Sequence, residues 1–272
     1  MADHVRYEVT DPVAVITIDR PEALNAFTHE MLADIRRSVE AASADPGVVG
    51  IIITGAGRGF CAGLDASVLE ATTQSAGDGR PAHDQPRAGE LPGLFSYLLR
   101  QPKPIIAAVN GVTAGGGFVL ATMCDLRFAS TSASFLSIFT KRGLIAEHGT
   151  TWTVPRLVGT GHALDLLWSS RRVEADEALR LGLVERVVEP DRLLDEAITY
   201  IADLAANVSP AALADTKRLV YEHAGLALEP SLIQADAATW AAVGRPDAAE
   251  GARSLLERRA PTFTRLGTPP SG

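Results

Sequence analysis

The sequence predicts an α/β fold, and three observations carry the prediction. Apolar runs of strand length, each followed by a turn and then helical spacing, recur near residues 51, 105, 126 and 183. Two of these runs feed glycine-rich turns: Ile51–Thr54 leads into GAGRGFCAGLD (55–65), and Ile105–Val109 leads through Asn110-Gly111 to Gly115-Gly116-Gly117. From Asp191 onward strand patterns stop and helical ones take over. The rhythm suggests a spiral of β-β-α units rather than a doubly wound sheet. The expected division is a core over 1–195 and a C-terminal helical layer over 196–272.

In chain order, Val5 to Thr10 and Val13 to Asp19 read as a hairpin around Asp11-Pro12. RPEALNAF (20–27) is a loop. Thr28 is placed to cap a helix whose apolar face is Met31, Leu32, Ile35 and Val39, ended by Asp45-Pro46-Gly47. Val48 to Thr54 returns to the sheet. Ala71 to Gly89 is rich in Gly, Pro, Ser, Gln and Asp and reads as a mobile surface loop, with His83 and Asp84 as solvated residues within it. Leu91 to Leu99 is expected to be a short helix before the strand at 105. Phe118 to Cys124 suits a buried helix, and Asp125 to Ser130 and Ala133 to Phe135 are further strands. Pro155 interrupts a helical run, 162–169 is helical, and Glu174 to Gly182 is a helix closed by its glycine before a strand at 183–188. Helices are expected over 191–206, 210–223, 229–243 and 246–258, with a tail fraying after Leu266.

The 272 residues are 46% hydrophobic, ample for a buried core, and carry a formal net charge of −8. That charge argues against nucleic acid as the main partner while leaving room for an anionic cofactor moiety held by a few local cations. Cys61 and Cys124 read as small buried residues, so neither a disulfide nor a metal site is expected. The N-terminal residues show no apolar signal-peptide core and no run approaches membrane-spanning length, so a cytoplasmic protein is expected.

A strand feeding a glycine-opened helix aims free backbone N–H groups, backed by the helix dipole, at a negative oxygen. Glycine lets that oxygen come close because no Cβ intervenes. Two such units can each present one N–H to a single carbonyl oxygen, the arrangement that stabilises a thioester enolate.

The pair of motifs resembles the signature of the crotonase superfamily, the enoyl-CoA hydratase/isomerase family. RGFCAGLD is similar to that family's first oxyanion-hole loop, and KPIIAAVNGVTAGGGFVLATMCDLRFAS to its second loop, helix and strand. RPEALNAF, VPRLVG (154–159) and ADEALRLGLVERVV (175–188) match as well, so the resemblance spans nearly the whole chain. It implies a crotonase-type spiral, a homotrimer or a dimer of trimers built through the C-terminal helices, and an acyl-CoA thioester as substrate. Coenzyme A enters as part of that substrate, with no separate cofactor. The oxyanion donors are carried over to the N–H groups of Leu64 and Gly116. Contacts to CoA or the acyl group are carried over to Ala23, Leu24, Arg58, Ala62, Val119 and Phe139, and Phe263 and Arg259 are candidates to lie over the adenine, either in the same subunit or in a neighbouring one.

Hydratases of the family place one glutamate two residues after the glycine triplet and a second after the next strand. Those positions hold Val119 and Phe139, which transfer no proton. One carboxylate remains, Glu147 in LSIFTKRGLIAEHGTTW, at a position where dienoyl-CoA isomerases and ring-epoxyphenylacetyl-CoA isomerases carry an aspartate. Double-bond isomerisation with Glu147 as the single proton shuttle is the leading reading. Hydration through Glu147 and a water, and an acyl-CoA binder without turnover, are the alternatives. An apolar wall of Val119 and Phe139 is expected to raise the Glu147 pKa, whereas a surface ion pair with Lys141, Arg142 or Arg156 is the bland alternative. His148, next to it, is able to hydrogen-bond or titrate, though a structural role is the commoner one for such a residue. Asp65 is expected to cap a helix starting near Ala66, and Asp125 to anchor the turn from helix to strand.

Overall fold

The computed structural model describes residues 4–65, 68, 70 and 89–267. The expected loop over 71–88 with His83 and Asp84, the helix start at Ala66 and the tail from 268 lie outside the described residues.

Ten strands form two sheets among the described residues. The larger has the order β1 (Val5–Thr10), β2 (Val13–Ile18), β3 (Gly50–Gly55), β5 (Ile105–Val109), β7 (Leu126–Ser130), β10 (Arg186–Val188). It is parallel apart from the β1/β2 hairpin. The smaller has the order β4 (Gly59–Cys61), β6 (Val112–Ala114), β8 (Ser134–Leu136), β9 (Val173–Glu174). Each successive unit leaves one strand in each sheet, β3 then β4, β5 then β6, β7 then β8, which is the β-β-α spiral that the rhythm suggests.

The continuous apolar runs follow from covering both faces of the large sheet. Side chains alternate along a strand, so Ile51 and Ile53 enter the main core while Ile52 enters a second one. Likewise Ile105, Ala107 and Val109 face one way, and Ile106 and Ala108 the other. The main core takes Met31, Ile35, Val39 and Ala42 of α1 (His29–Ala44) and the wholly buried α2 (Gly116–Met123). Thr28 caps α1 as expected, accepting from Met31 N–H at 3.2 Å. At its other end the buried Lys103 ammonium donates to the carbonyl oxygens of Ala42, at 2.8 Å, and Asp45, at 2.5 Å. Burial pushes that Lys103 group down to about 8 against the opposing pull of Asp45.

Then follow α3 (Thr150–Val158, with Pro155 inside it), α4 (Thr160–Ser169) and α5 (Ala175–Leu181). The second core is closed by Leu193, Ala197 and Ile201 of α6 (Leu193–Asn207). This helix straddles the expected division at 195/196 and packs on the sheet, so by packing it belongs with the core. The layer beyond it is α7 (Pro210–His223), α8 (Leu228–Val243) and α9 (Pro246–Glu257), within a residue of the expected bounds. The expected helix at 91–99 is only a 3-10 turn, Ser96–Arg100, because Pro92 and Gly93 interrupt the pattern.

Asp125 does more than anchor its turn. Its carboxylate accepts from Ile105 N–H at 2.7 Å, Lys217 Nζ at 2.7 Å and Tyr221 Oη at 2.9 Å, fastening α7 to the sheet. Burial, with Asp125 beside it, raises the Tyr221 pKa and keeps the hydroxyl a donor. Among the described residues no single helix is long and apolar enough to cross a membrane.

Candidate active site

The site is built where neighbouring parallel strands of the small sheet end. Strands β4, β6 and β8 lie side by side in one direction, so their C-terminal ends release their loops at one edge. Those loops carry Gly63-Leu64, Gly115-Gly116 and Ile138-Phe139.

The first donor is set by a strand-like bridge between Phe27 and Leu64. Phe27 N–H donates to Gly63 C=O at 2.7 Å and Asp65 N–H donates to Phe27 C=O at 2.9 Å. N–H groups alternate in direction along extended chain, so the Leu64 N–H between them points away from Phe27. Gly63 N–H donates to the Cys61 sulfur at 3.3 Å, tightening the turn ahead of it. The second donor, Gly116, is the first residue of α2 and has the free N–H of a helix start. Neither N–H has an acceptor among the described residues. The two loops are in contact: a Cβ on Gly63, which has φ +105°, would lie 3.1 Å from Ala114 O and 3.3 Å from Gly116 N. Only glycine permits that approach.

A cavity of about 30 Å³ opens at this contact. Its walls include Gly63, Leu64, Gly115, Gly116, Phe139 and Glu147. The structure thus brings together Leu64, Gly116 and Glu147, 83 residues apart at the extremes of sequence (147 − 64). Glu147 is half-buried, with 32% of its side chain exposed, and its carboxylate lies beside the His148 ring, Nε2 to Oε2 3.7 Å. The apolar wall differs from the expected one. Phe139 is in place, but Val119 is fully buried in the main core and is not among the cavity walls; Ile138, Leu144 and Leu94 supply that surface. Of the cations expected to compete for Glu147, Arg142 lines the cavity, whereas Arg156 lies over the Trp152 ring at 4.1 Å.

Around the first glycine turn the structure gathers four of the expected contact residues. Ala62 N–H donates to Leu24 C=O at 2.9 Å, Leu24 packs against Gly59, and Ala23 and exposed Arg58 flank this pair. The Phe263 ring packs against Gly251 of α9 within the single chain. Arg259 is held in ion pairs with Glu250 and Glu257, both 2.6 Å. Asp65 is paired with Arg20 at 2.6 Å, a partner 45 residues away that the helix-cap reading did not include. The two thiols are protonated structural groups, since burial pushes both Cys61 and Cys124 up to about 12.

Asn25 is the organiser that sequence reasoning missed. Fully buried at φ +61°, it donates to Ala56 O at 2.9 Å and Gly59 O at 2.7 Å and accepts from Arg20 N–H at 2.8 Å. The available signal was its residue type, since Asn tolerates left-handed backbone and bridges neighbouring carbonyls. Asn25→Ala should cost about 1–3 kcal/mol by removing both donations, Gly59 O keeping its bond from Asn110 Nδ2 while Ala56 O loses its partner, measured by urea unfolding.

A larger cavity of about 1000 Å³ lies between Leu91, Leu99, Met123, Trp152 and α7. Arg218 pairs there with Asp215 and Glu222, Arg100 donates to Gly89 O, and neither glycine-turn donor opens into it.

A family model described as enoyl-CoA hydratase/isomerase matches residues 8–266. The chain belongs to this family. Among enoyl-CoA hydratase/isomerase relatives, it is 35% identical over 266 residues to a probable enoyl-CoA hydratase of Rhodobacter capsulatus, covering 96% of this chain and 97% of that one. It is 34% identical over 268 residues to the 1,2-epoxyphenylacetyl-CoA isomerase of Escherichia coli, covering 97% and 99%. A solved structure of a probable enoyl-CoA hydratase/isomerase from Mycobacterium abscessus superposes with a TM-score of 0.84 at 30% identity, covering 96% of this chain and 99% of that one. The fold is thus the crotonase fold of these hydratases and isomerases.

Proposed function

We propose that this site holds an acyl-CoA thioester with its carbonyl oxygen between the N–H groups of Leu64 and Gly116, and that Glu147 moves a proton to shift an enoyl double bond. The observation that carries this reading is that one small cavity is walled by both donors and by that carboxylate. Removing a Cα proton places charge on the thioester oxygen, where two fixed donors contribute roughly 10²- to 10³-fold each. Ala23, Leu24, Arg58 and Ala62, gathered at one rim, would contact the CoA moiety.

Val119 and Phe139 stand where a two-carboxylate hydratase needs glutamates, which favours isomerisation, as does the similarity to the Escherichia coli isomerase. Hydration through Glu147 is the second reading, favoured by the partial exposure that gives its carboxylate access to water. Ultraviolet assays with a 3-enoyl-CoA and a 2-enoyl-CoA separate them. Growth of the conjugated-thioester absorbance from the 3-enoyl substrate is expected. Loss of that absorbance from the 2-enoyl substrate alone would establish the hydratase, and tight acyl-CoA binding with neither change would leave a binder without turnover.

We propose further that α8 and α9 build the subunit contacts of a homotrimer or a dimer of trimers. Trp240 and Leu256 are 68% and 84% exposed in the single chain, with Leu232, Ile233, Val243 and Leu255 also outside. Replacing both Trp240 and Leu256 by Asp should shift the sedimentation coefficient to that of a monomer.

A further inference from the structure

The single carboxylate has an imidazole directly beside it. His148 lines the same cavity as Leu64, Gly116 and Glu147, with Nε2 3.7 Å from Glu147 Oε2. Its backbone is left-handed, φ +51°, and Gly149 after it is also left-handed, φ +85°. Two such residues in succession turn the chain sharply into α3, and the second is a glycine while the first is not. The turn is braced from both sides. A Cβ on Gly93 would meet the His148 carbonyl oxygen at 3.6 Å, and one on Gly149 would meet Met123 Cε at 2.8 Å. A left-handed non-glycine residue held by its surroundings is a feature that concentrates at functional sites. Among the described residues the ionisable groups walling the cavity are Arg142, Glu147 and His148.

Building on the assignment of Glu147 above, we propose that His148 is the second proton carrier of this site. Glu147 takes the proton from Cα, and the electron pair of that C–H bond moves into the dienolate held by Leu64 and Gly116. The His148 imidazolium then gives its Nε2 proton to Cγ, where the electron pair of the former Cβ–Cγ double bond forms the new C–H bond. Protonated Glu147 returns its proton to Nε2, directly or through one water across the 3.7 Å gap. One C–H bond breaks and one forms, and both side chains end in their starting protonation states. This pair would supply the two acid–base groups that Val119 and Phe139 do not.

Two reactions separate the roles. Exchange of the Cα hydrogens of a saturated acyl-CoA in D2O, followed by NMR, needs only the base and the oxyanion donors. Conversion of a 3-enoyl-CoA needs the second delivery as well. His148→Asn is the variant of choice because Asn accepts the same left-handed backbone, and its melting curve checks folding. We expect it to keep Cα exchange within about threefold and to lower isomerisation by about tenfold or more, the low end of general acid–base contributions. Equal losses in both reactions would show a structural residue and overturn the proposal, as would isomerisation left within about twofold. Glu147→Gln is expected to abolish both; if it retained exchange, the assignment of Glu147 would fall instead. Exchange and isomerisation both absent in the unaltered protein would overturn the two assignments together.

Discussion

Glu147→Gln lowers kcat for 3-enoyl-CoA conversion by about 10²- to 10⁴-fold while acyl-CoA affinity stays within about threefold, as the structure predicts. Glutamine keeps the length and shape of the side chain and loses only the ability to accept a proton as a base. General acid–base catalysis is worth that range in rate, and among the described residues no other carboxylate lines the cavity to replace it. On the proposed reading affinity rests elsewhere, on the backbone donors at Leu64 and Gly116 and on the rim at Leu24 and Ala62, none of which the substitution touches. Stopped-flow turnover and equilibrium titration with a saturated acyl-CoA measure the two quantities separately. Glu147→Asp is the companion: it keeps the charge and withdraws it by one methylene, and a displacement near 1 Å costs about 10²-fold, so it should fall between the two.

Gly117→Ala is expected to damage stability and turnover together. The added Cβ would lie 2.3 Å from Cys61 O and 2.8 Å from Cys61 Cβ, and Cys61 is a strand residue whose backbone has no rotamer to yield. Either α2 or β4 must move, and each has one of the proposed backbone donors three residues or fewer from the clash, Gly116 on the helix and Leu64 after the strand. Overpacking of this kind costs about 1–3 kcal/mol in stability. Misplacing one donor costs a further 10²- to 10³-fold in kcat. Gly161→Ala is the control, a helical glycine with nothing within 4 Å of its added Cβ. It should leave kcat unchanged and raise stability by about 0.4–1 kcal/mol. Urea unfolding and turnover on the three proteins check both halves; a Gly117→Ala protein with full kcat would show that the donors do not depend on this contact.

What could be read from the sequence and what could not divide along a physical line. Local pattern was enough wherever neighbours in sequence decide the structure. The runs at 51–54 and 105–109 are strands because both faces are covered, Thr28 caps α1 through its own hydroxyl, and Gly115-Gly116-Gly117 opens a buried helix. The C-terminal helices followed from their spacing. Phe139 and Glu147 were found through motif register, and the cavity contains both.

Contacts across long stretches of chain were not legible. Nothing near Asp65 points to Arg20, 45 residues earlier, and nothing near Asp125 points to Lys217 and Tyr221, 92 and 96 residues later. Val119 reads as a pocket wall by register, yet α2 is buried on every side and turns it into the core. Composition and motif were enough for the class of fold, which depends on glycine and periodicity, and the match to the family's motifs was enough to name Leu64, Gly116 and Glu147 as candidates. Tertiary structure alone decided that Glu147 and His148 share the donors' cavity, because three adjacent parallel strands end at one edge and a left-handed turn at His148-Gly149 folds the next loop back over them.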